Sequence, residues 1–159
     1  MEPLSRDHFS DLLRQARVKR RLVRELRFVP EAITDWSDRG FIAVSTRSGN
    51  EGVLVTYDTK CLPYTLSRRT NPSGRVAPIT CDICMTWQRG TNSAILTFET
   101  HEGTISFLVC ADLACSLHVR TLTPEAVLSR VQLREDLTNE DRVQRLRARF
   151  HAMTEKVLV

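Results

Sequence analysis

Between residues 5 and 27 apolar positions recur at helical spacing, with Phe9, Leu12, Leu13, Ala16, Val23 and Leu26 on one side. The pattern predicts one amphipathic helix over 5–27. Ser5 can cap it, Asp7 suits the positive end of its dipole, and Pro30 stops the segment. The period then shortens. Phe41 to Thr46 and Val53 to Tyr57 are rich in β-branched and aromatic residues, and the turn-prone run Gly49 to Gly52 lies between them. That is a hairpin. Leu62 to Arg69 reads as a third strand, and Asn71 to Gly74 as a turn. Ala94 to Phe98 and Thr104 to Val109 form a second hairpin across His101, Glu102 and Gly103. Helical signals return at 113–120. They continue at Thr123-Pro124-Glu125, a cap followed by proline at the first helical position, and at Thr138 with acids behind it. Val143, Leu146, Phe150, Met153 and Val157 then step by threes and fours. This stripe is core, or a seam against the first helix. The expected class is α+β: an antiparallel sheet within 36–120, packed by an N-terminal helix and by C-terminal helices over 124–157.

Length and composition narrow this picture. At 159 residues the chain suits a single domain, and 42% hydrophobic with 26% charged residues excludes wholesale disorder. No apolar run approaches the roughly 20 residues a membrane span needs. The first 30 residues carry Arg and Lys throughout and have no secretory pattern, so the cytoplasm is the expected compartment. Lys and Arg total 23 against 19 Asp and Glu, a formal charge of +4. A mildly basic protein tolerates an anionic partner without requiring one. Basic runs at 17–27, at Arg68 and Arg69, and at 142–149 are the candidate steering surfaces.

The five cysteines change the picture most. Four fall in two pairs, Cys81-Asp82-Ile83-Cys84 and Cys110-Ala111-Asp112-Leu113-Ala114-Cys115, which bracket the second hairpin. An odd count in a reducing compartment argues against disulfides. Two close pairs brought together by a hairpin argue for a metal. A C-x-x-C pair turns both sulfurs onto one ion. The wider second pair does so if Cys110 ends a strand and Cys115 starts a helix. Strand, knuckle, hairpin and ligand-bearing helix is the plan of a treble-clef zinc finger. Four thiolates close the tetrahedron and leave no position for water or substrate, so the zinc is structural. Adding the dication and removing four thiol protons takes the charge from +4 to about +2. Arg89 and Arg120 are placed to offset the sulfur charge. His118, three residues after Cys115, is read as a polar surface histidine, with replacement of one cysteine ligand as the alternative. Cys61 is read as a small buried hydrophobe. Trp87, just after the first knuckle, is either an exposed partner anchor or a cover for the metal site.

Nothing points to catalysis. There is no H-E-x-x-H, no phosphate-cradling glycine loop and no nucleophile elbow, and the four histidines at 8, 101, 118 and 151 are scattered. A non-enzymatic module without a small-molecule substrate is the expectation.

The cysteine region also resembles a known family. Cys81-Asp82-Ile83-Cys84-Met85-Thr86 and Val109 through Arg120, with Cys-Ala-Asp-Leu-Ala-Cys-Ser-Leu at 110–117, are similar to the treble-clef domain of elongation factor G-binding proteins. That family includes the fusidic-acid-resistance proteins of the FusB type. The resemblance to single-domain actinobacterial forms extends over nearly the whole length, 1–159, including Trp36. It implies a zinc-stabilised domain with Cys81, Cys84, Cys110 and Cys115 as ligands. It also implies elongation factor G as partner, on or beside the ribosome. The resistance proteins' separate N-terminal helical domain has no counterpart in this sequence. Trp87, Arg89, Arg120, Arg68 and Arg69 are the candidate partner-binding residues. A zinc module that contacts RNA directly is the competing reading. Its salt dependence would be steep, and a 6% aromatic content argues against a single-strand binder.

Overall fold

The computed structural model describes residues 1–71 and 73–158. The chain divides into two compact units, Met1–Leu66 and Ser67–Val159, each a mixture of helix and antiparallel strand.

In the first unit α1 runs over Arg6–Gln15, and Ser5 Oγ accepts from the His8 N–H as expected of a cap. The single helix expected over 5–27 does not form. Arg17 takes a left-handed conformation at φ 50°. Its N–H donates to Arg14 O, and the Val18 N–H donates to Leu13 O. These two bonds make a Schellman closure, which turns Val18 back onto the core beside Leu13. A shorter helix, α2, resumes at Arg20–Glu25. Behind it Arg27 N–H donates to Ser45 O, tying the chain to the first strand.

That strand, β1 (Phe41–Ser45), pairs antiparallel with β2 (Glu51–Thr56), which pairs antiparallel with β3 (Cys61–Arg68). Val44 sits opposite Val53, and Leu54 opposite Leu62. Phe9, Leu12, Leu13, Val18 and Leu22 pack on Ile42, Val44, Val53, Val55 and Cys61. The apolar face of α1 is therefore accounted for within its own unit. Cys61 is a buried hydrophobe, and burial pushes its thiol up to about 12, far from any nucleophilic range.

The second unit opens with the expected turn: Gly74 N–H donates to Asn71 O, while Pro72 lies outside the described residues. Two short strands, β4 (Ile79–Thr80) and β5 (Trp87–Gln88), then pair around the first cysteine knuckle. Gly90 permits a close crossing there, since a Cβ would lie 1.8 Å from the Val76 carbonyl oxygen. The hairpin of β6 (Ser93–Thr100) and β7 (Gly103–Cys110) is in register from Ser93 opposite Cys110 to Thr100 opposite Gly103.

Three helices complete the unit. They are α3 (Cys115–His118), α4 (Pro124–Leu133) and α5 (Asn139–Leu158). Thr123 caps α4 by accepting from Ala126 N–H. Thr138 and Asp141 exchange side chain-to-backbone bonds ahead of α5, the expected capping box. Leu146, Phe150 and Met153 of the predicted stripe are buried, and α5 lies against β6 and α3. Among the described residues no helix is long and apolar enough to cross a membrane.

Two of the basic runs behave differently. The run at 142–149 is largely engaged inside its own unit. Arg142 is 1% exposed and 3.1 Å from Glu135, Arg145 pairs with the same carboxylate, and Arg149 donates to Asp82 O. Arg142 and Arg145 therefore serve packing, whereas Arg147 and Arg149 remain exposed. The run at 17–27 stays on the surface.

Candidate metal centre

Cys81 and Cys84 lie in the reversal between β4 and β5. Cys81 N–H donates to Thr86 O at 3.0 Å, and Met85 N–H donates to Cys81 O at 2.9 Å. Met85 takes the left-handed conformation at φ 56° that lets the chain double back. Asp82 fastens this knuckle to β7: its N–H donates to Leu108 O, and its Oδ2 accepts from Leu108 N–H at 2.7 Å. The second pair is built as its spacing requires. Cys110 ends β7, Leu113 turns at φ 52° with its N–H on Cys110 O, and Cys115 is the first residue of α3.

All four side chains are fully buried, and their sulfurs lie within 4.8 Å of one another. Cys81 to Cys115 is 3.8 Å, Cys84 to Cys110 is 3.6 Å, and Cys110 to Cys115 is 3.9 Å. A tetrahedron with Zn–S bonds of about 2.3 Å has an edge of about 3.8 Å. The sulfurs therefore stand at coordination distance and well beyond the length of a disulfide bond.

Their ionisation follows from the crowding. Burial disfavours the Cys81 thiolate, but S–H donation from its three neighbours outweighs this and holds its pKa well below the ordinary thiol value. The Cys115 contact lowers Cys110, but Cys81, Cys84 and burial outweigh it and push Cys110 well above that value. At Cys115 the contacts with Cys110, Cys81 and Cys84, together with burial, push the same way. Several thiolates this close need a cation among them. The donor set fits one zinc held by Cys81, Cys84, Cys110 and Cys115, and bound zinc would supply cross-linking of two knuckles rather than reactivity.

Around the sulfurs runs a polar chain that spacing did not reveal, buried at Thr86, Gln88 and His118 and open to solvent at Asp112. Thr86 Oγ1 lies 2.8 Å from Cys84 Sγ and accepts from Gln88 Nε2 at 2.8 Å, which leaves its own hydrogen for the sulfur. Gln88 Oε1 accepts from Asn92 Nδ2, which also donates to Asp112 Oδ2 at 3.0 Å. Asp112 Oδ1 accepts from Ala114 N–H and lies 3.2 Å from His118 Nε2. His118 Nδ1 is 2.7 Å from Thr123 Oγ1, the cap of α4. Burial alone would raise the Asp112 carboxyl, but the bonds from His118 and Ala114 hold it below its usual value.

His118 is thus not the surface histidine expected, being 1% exposed. Nor is it needed as a ligand, since four cysteines complete the set. Its geometric group includes only Cys110 of the four sulfurs. It locks the second knuckle to α4. The sequence signal for this lock was the aspartate inside Cys-Ala-Asp-Leu-Ala-Cys.

The candidate partner residues all fall in the second unit. Trp87 is half-buried on β5, where its backbone N–H donates to Ser129 Oγ of α4. Arg89 and Arg68 are exposed. Arg69 is half-buried and donates to Ala77 O, and Arg120 donates to Ser116 O at 2.7 Å, capping α3. One surface feature was missed. On α4, Ala126 and Ser129 face inward while Val127 and Val131 stand 56% and 68% exposed, near Leu122 in sequence at 58%.

Comparison with known proteins agrees with this geometry. The model of the FBP C-terminal treble-clef zinc-finger family matches residues 16–157, nearly the whole chain. No curated protein and no solved structure matches. A closed set of four thiolates on two knuckles and a family match of this extent lead to one assignment: the chain belongs to the FBP C-terminal treble-clef zinc-finger family.

Proposed function

We propose that this protein is a non-enzymatic, cytoplasmic binding protein of translation whose partner is elongation factor G, met on or beside the ribosome. The observation that carries the reading is the family match over residues 16–157, joined to a metal centre with no open coordination position. A coordinatively saturated zinc stiffens a surface and does not activate a substrate. The exposed valines of α4 support a binding role. Helix α4 has a buried side and yet presents Val127 and Val131 to solvent one turn apart. Trp87 on β5, packed against α4, and Arg89 and Arg120 add residue types that commonly anchor interfaces. Release of a factor stalled by fusidic acid is the activity this contact would serve.

The test is capture of purified elongation factor G by the zinc-loaded protein, with and without ribosomes. Enrichment is expected, and it should fall at least tenfold with Val127→Asp and Val131→Asp combined while zinc content stays at one per chain. Failure to enrich the factor in either condition removes the reading.

A further inference from the structure

We infer that the first unit carries a surface of its own for the phosphate backbone of duplex RNA. Seven basic residues and a single acid, Glu25, lie between Arg14 and Arg27. The Schellman closure after α1 and the restart at α2 fold this run around two adjoining open concavities, of about 450 and about 780 Å³, that share Arg24. Arg14, Arg17 and Arg20 line one, and Arg27 and Arg47 line the other. All six arginines are exposed. Arg14 is paired with Asp11, and Glu25 is partnered by Arg21. Arg17, Arg20, Arg24, Arg27 and Arg47 have no ion-pair partner among the described residues, unlike Arg142 and Arg145 of α5, which share Glu135.

Two features select the ligand. The first is the backbone at Arg17. The closing position of a Schellman motif favours glycine, yet an arginine holds φ 50° there and extends a guanidinium to the concavity. The second is the lining, which contains no aromatic side chain. Without stacking platforms the surface does not hold splayed bases. It suits a row of phosphates, which planar guanidinium groups bind in bidentate fashion. Duplex RNA offers such rows across its minor groove. The choice of RNA over DNA rests on the proposed role in translation, whereas the phosphate surface stands without it.

The experiment is fluorescence anisotropy of the zinc-loaded protein with a labelled RNA duplex, the DNA duplex of the same sequence and polyglutamate. Elongation factor G is absent, so the result is independent of the capture assay. If five arginines each meet a phosphate, log affinity falls with log salt at a slope of about −4.5, or about 500-fold between 50 and 200 mM. Combining Arg20→Gln, Arg24→Gln and Arg47→Gln should reduce the slope to about −2. Arg17→Gly separates folding from binding, because it should weaken RNA binding severalfold while the melting temperature holds or rises. RNA bound at least as tightly as DNA, with these losses, supports the inference. No RNA binding at low salt, unchanged affinity in the variants, tighter binding of DNA, or equal binding of polyglutamate overturns it. The last result would assign the surface to an acidic protein.

Discussion

At Cys84 one atom decides much of the second unit. Its sulfur stands 3.6 Å from Cys110 Sγ and faces the Thr86 hydroxyl at 2.8 Å. A serine there places a harder, un-ionised oxygen on a shorter bond, so the fourth coordination position is lost. The three remaining sulfurs then stay crowded and buried without a cation to compensate them. Cys84→Ser should reduce bound zinc from one per chain to near zero. It should also cost several kcal/mol, since structural zinc binding is coupled to folding. Metal analysis with thermal denaturation checks this, and a variant that keeps both its zinc and its melting temperature would refute the structural role. Cys61 is the contrasting case. It is equally a cysteine, but it packs among Val53, Val55 and Ile42 with no ligand near it. Sequence spacing separated the two kinds correctly, because metal binding needs partners at short range and a core position does not.

Between residue and fold the result is less even. Both hairpins, the caps of α4 and α5 and the buried stripe of α5 were legible, since each rests on local periodicity or on a capping side chain. The break after α1 was not. Its signal in most chains is glycine, and this chain uses Arg17. The lock from Asp112 through His118 to Thr123 was also hidden, because its members are brought together only once the second knuckle turns at Leu113. That lock has a measurable consequence. Asp112→Ala removes the acceptor of Ala114 N–H and leaves the buried His118 Nε2 without its partner. The expected cost is about 1–3 kcal/mol of stability. Loosening this outer shell should also lower zinc affinity about 10–100-fold. Competition against a chromophoric chelator reads the second effect, and unchanged affinity would show that the second knuckle holds its shape without Asp112. Arg142 illustrates the opposite failure of pattern. It occupies a core position of α5 that apolar periodicity assigns to no charged residue, and Glu135 makes it tolerable.

On the scale of the whole molecule, the metal site and the apolar cluster under α1 belong to different stretches of chain. The cluster of Phe9, Leu12, Leu13, Leu22, Ile42, Val44, Val53 and Val55 draws every member from Met1–Leu66 and includes none of the four ligands. The second unit buries Ile83, Val109, Leu113 and Val119 on the segments that carry Cys81, Cys84, Cys110 and Cys115, and adds Leu96 and Phe98 of β6 and Leu146 and Phe150 of α5. Small units with modest cores commonly depend on such a cross-link. Removing zinc should therefore open the molecule unevenly. Hydrogen exchange after a strong chelator should show early loss of protection in the knuckles and in α3, followed by α4, whose cap hangs on His118. Amides of Val53, Leu54 and Val55, in a strand paired on both sides, should keep most of their protection. Simultaneous loss in β2 and in the knuckles would mean that folding is a single event governed by the metal, and the division into separately supported units would fail. Retained protection in the knuckles without zinc would be the more serious result, because it would leave the four thiols with no structural task.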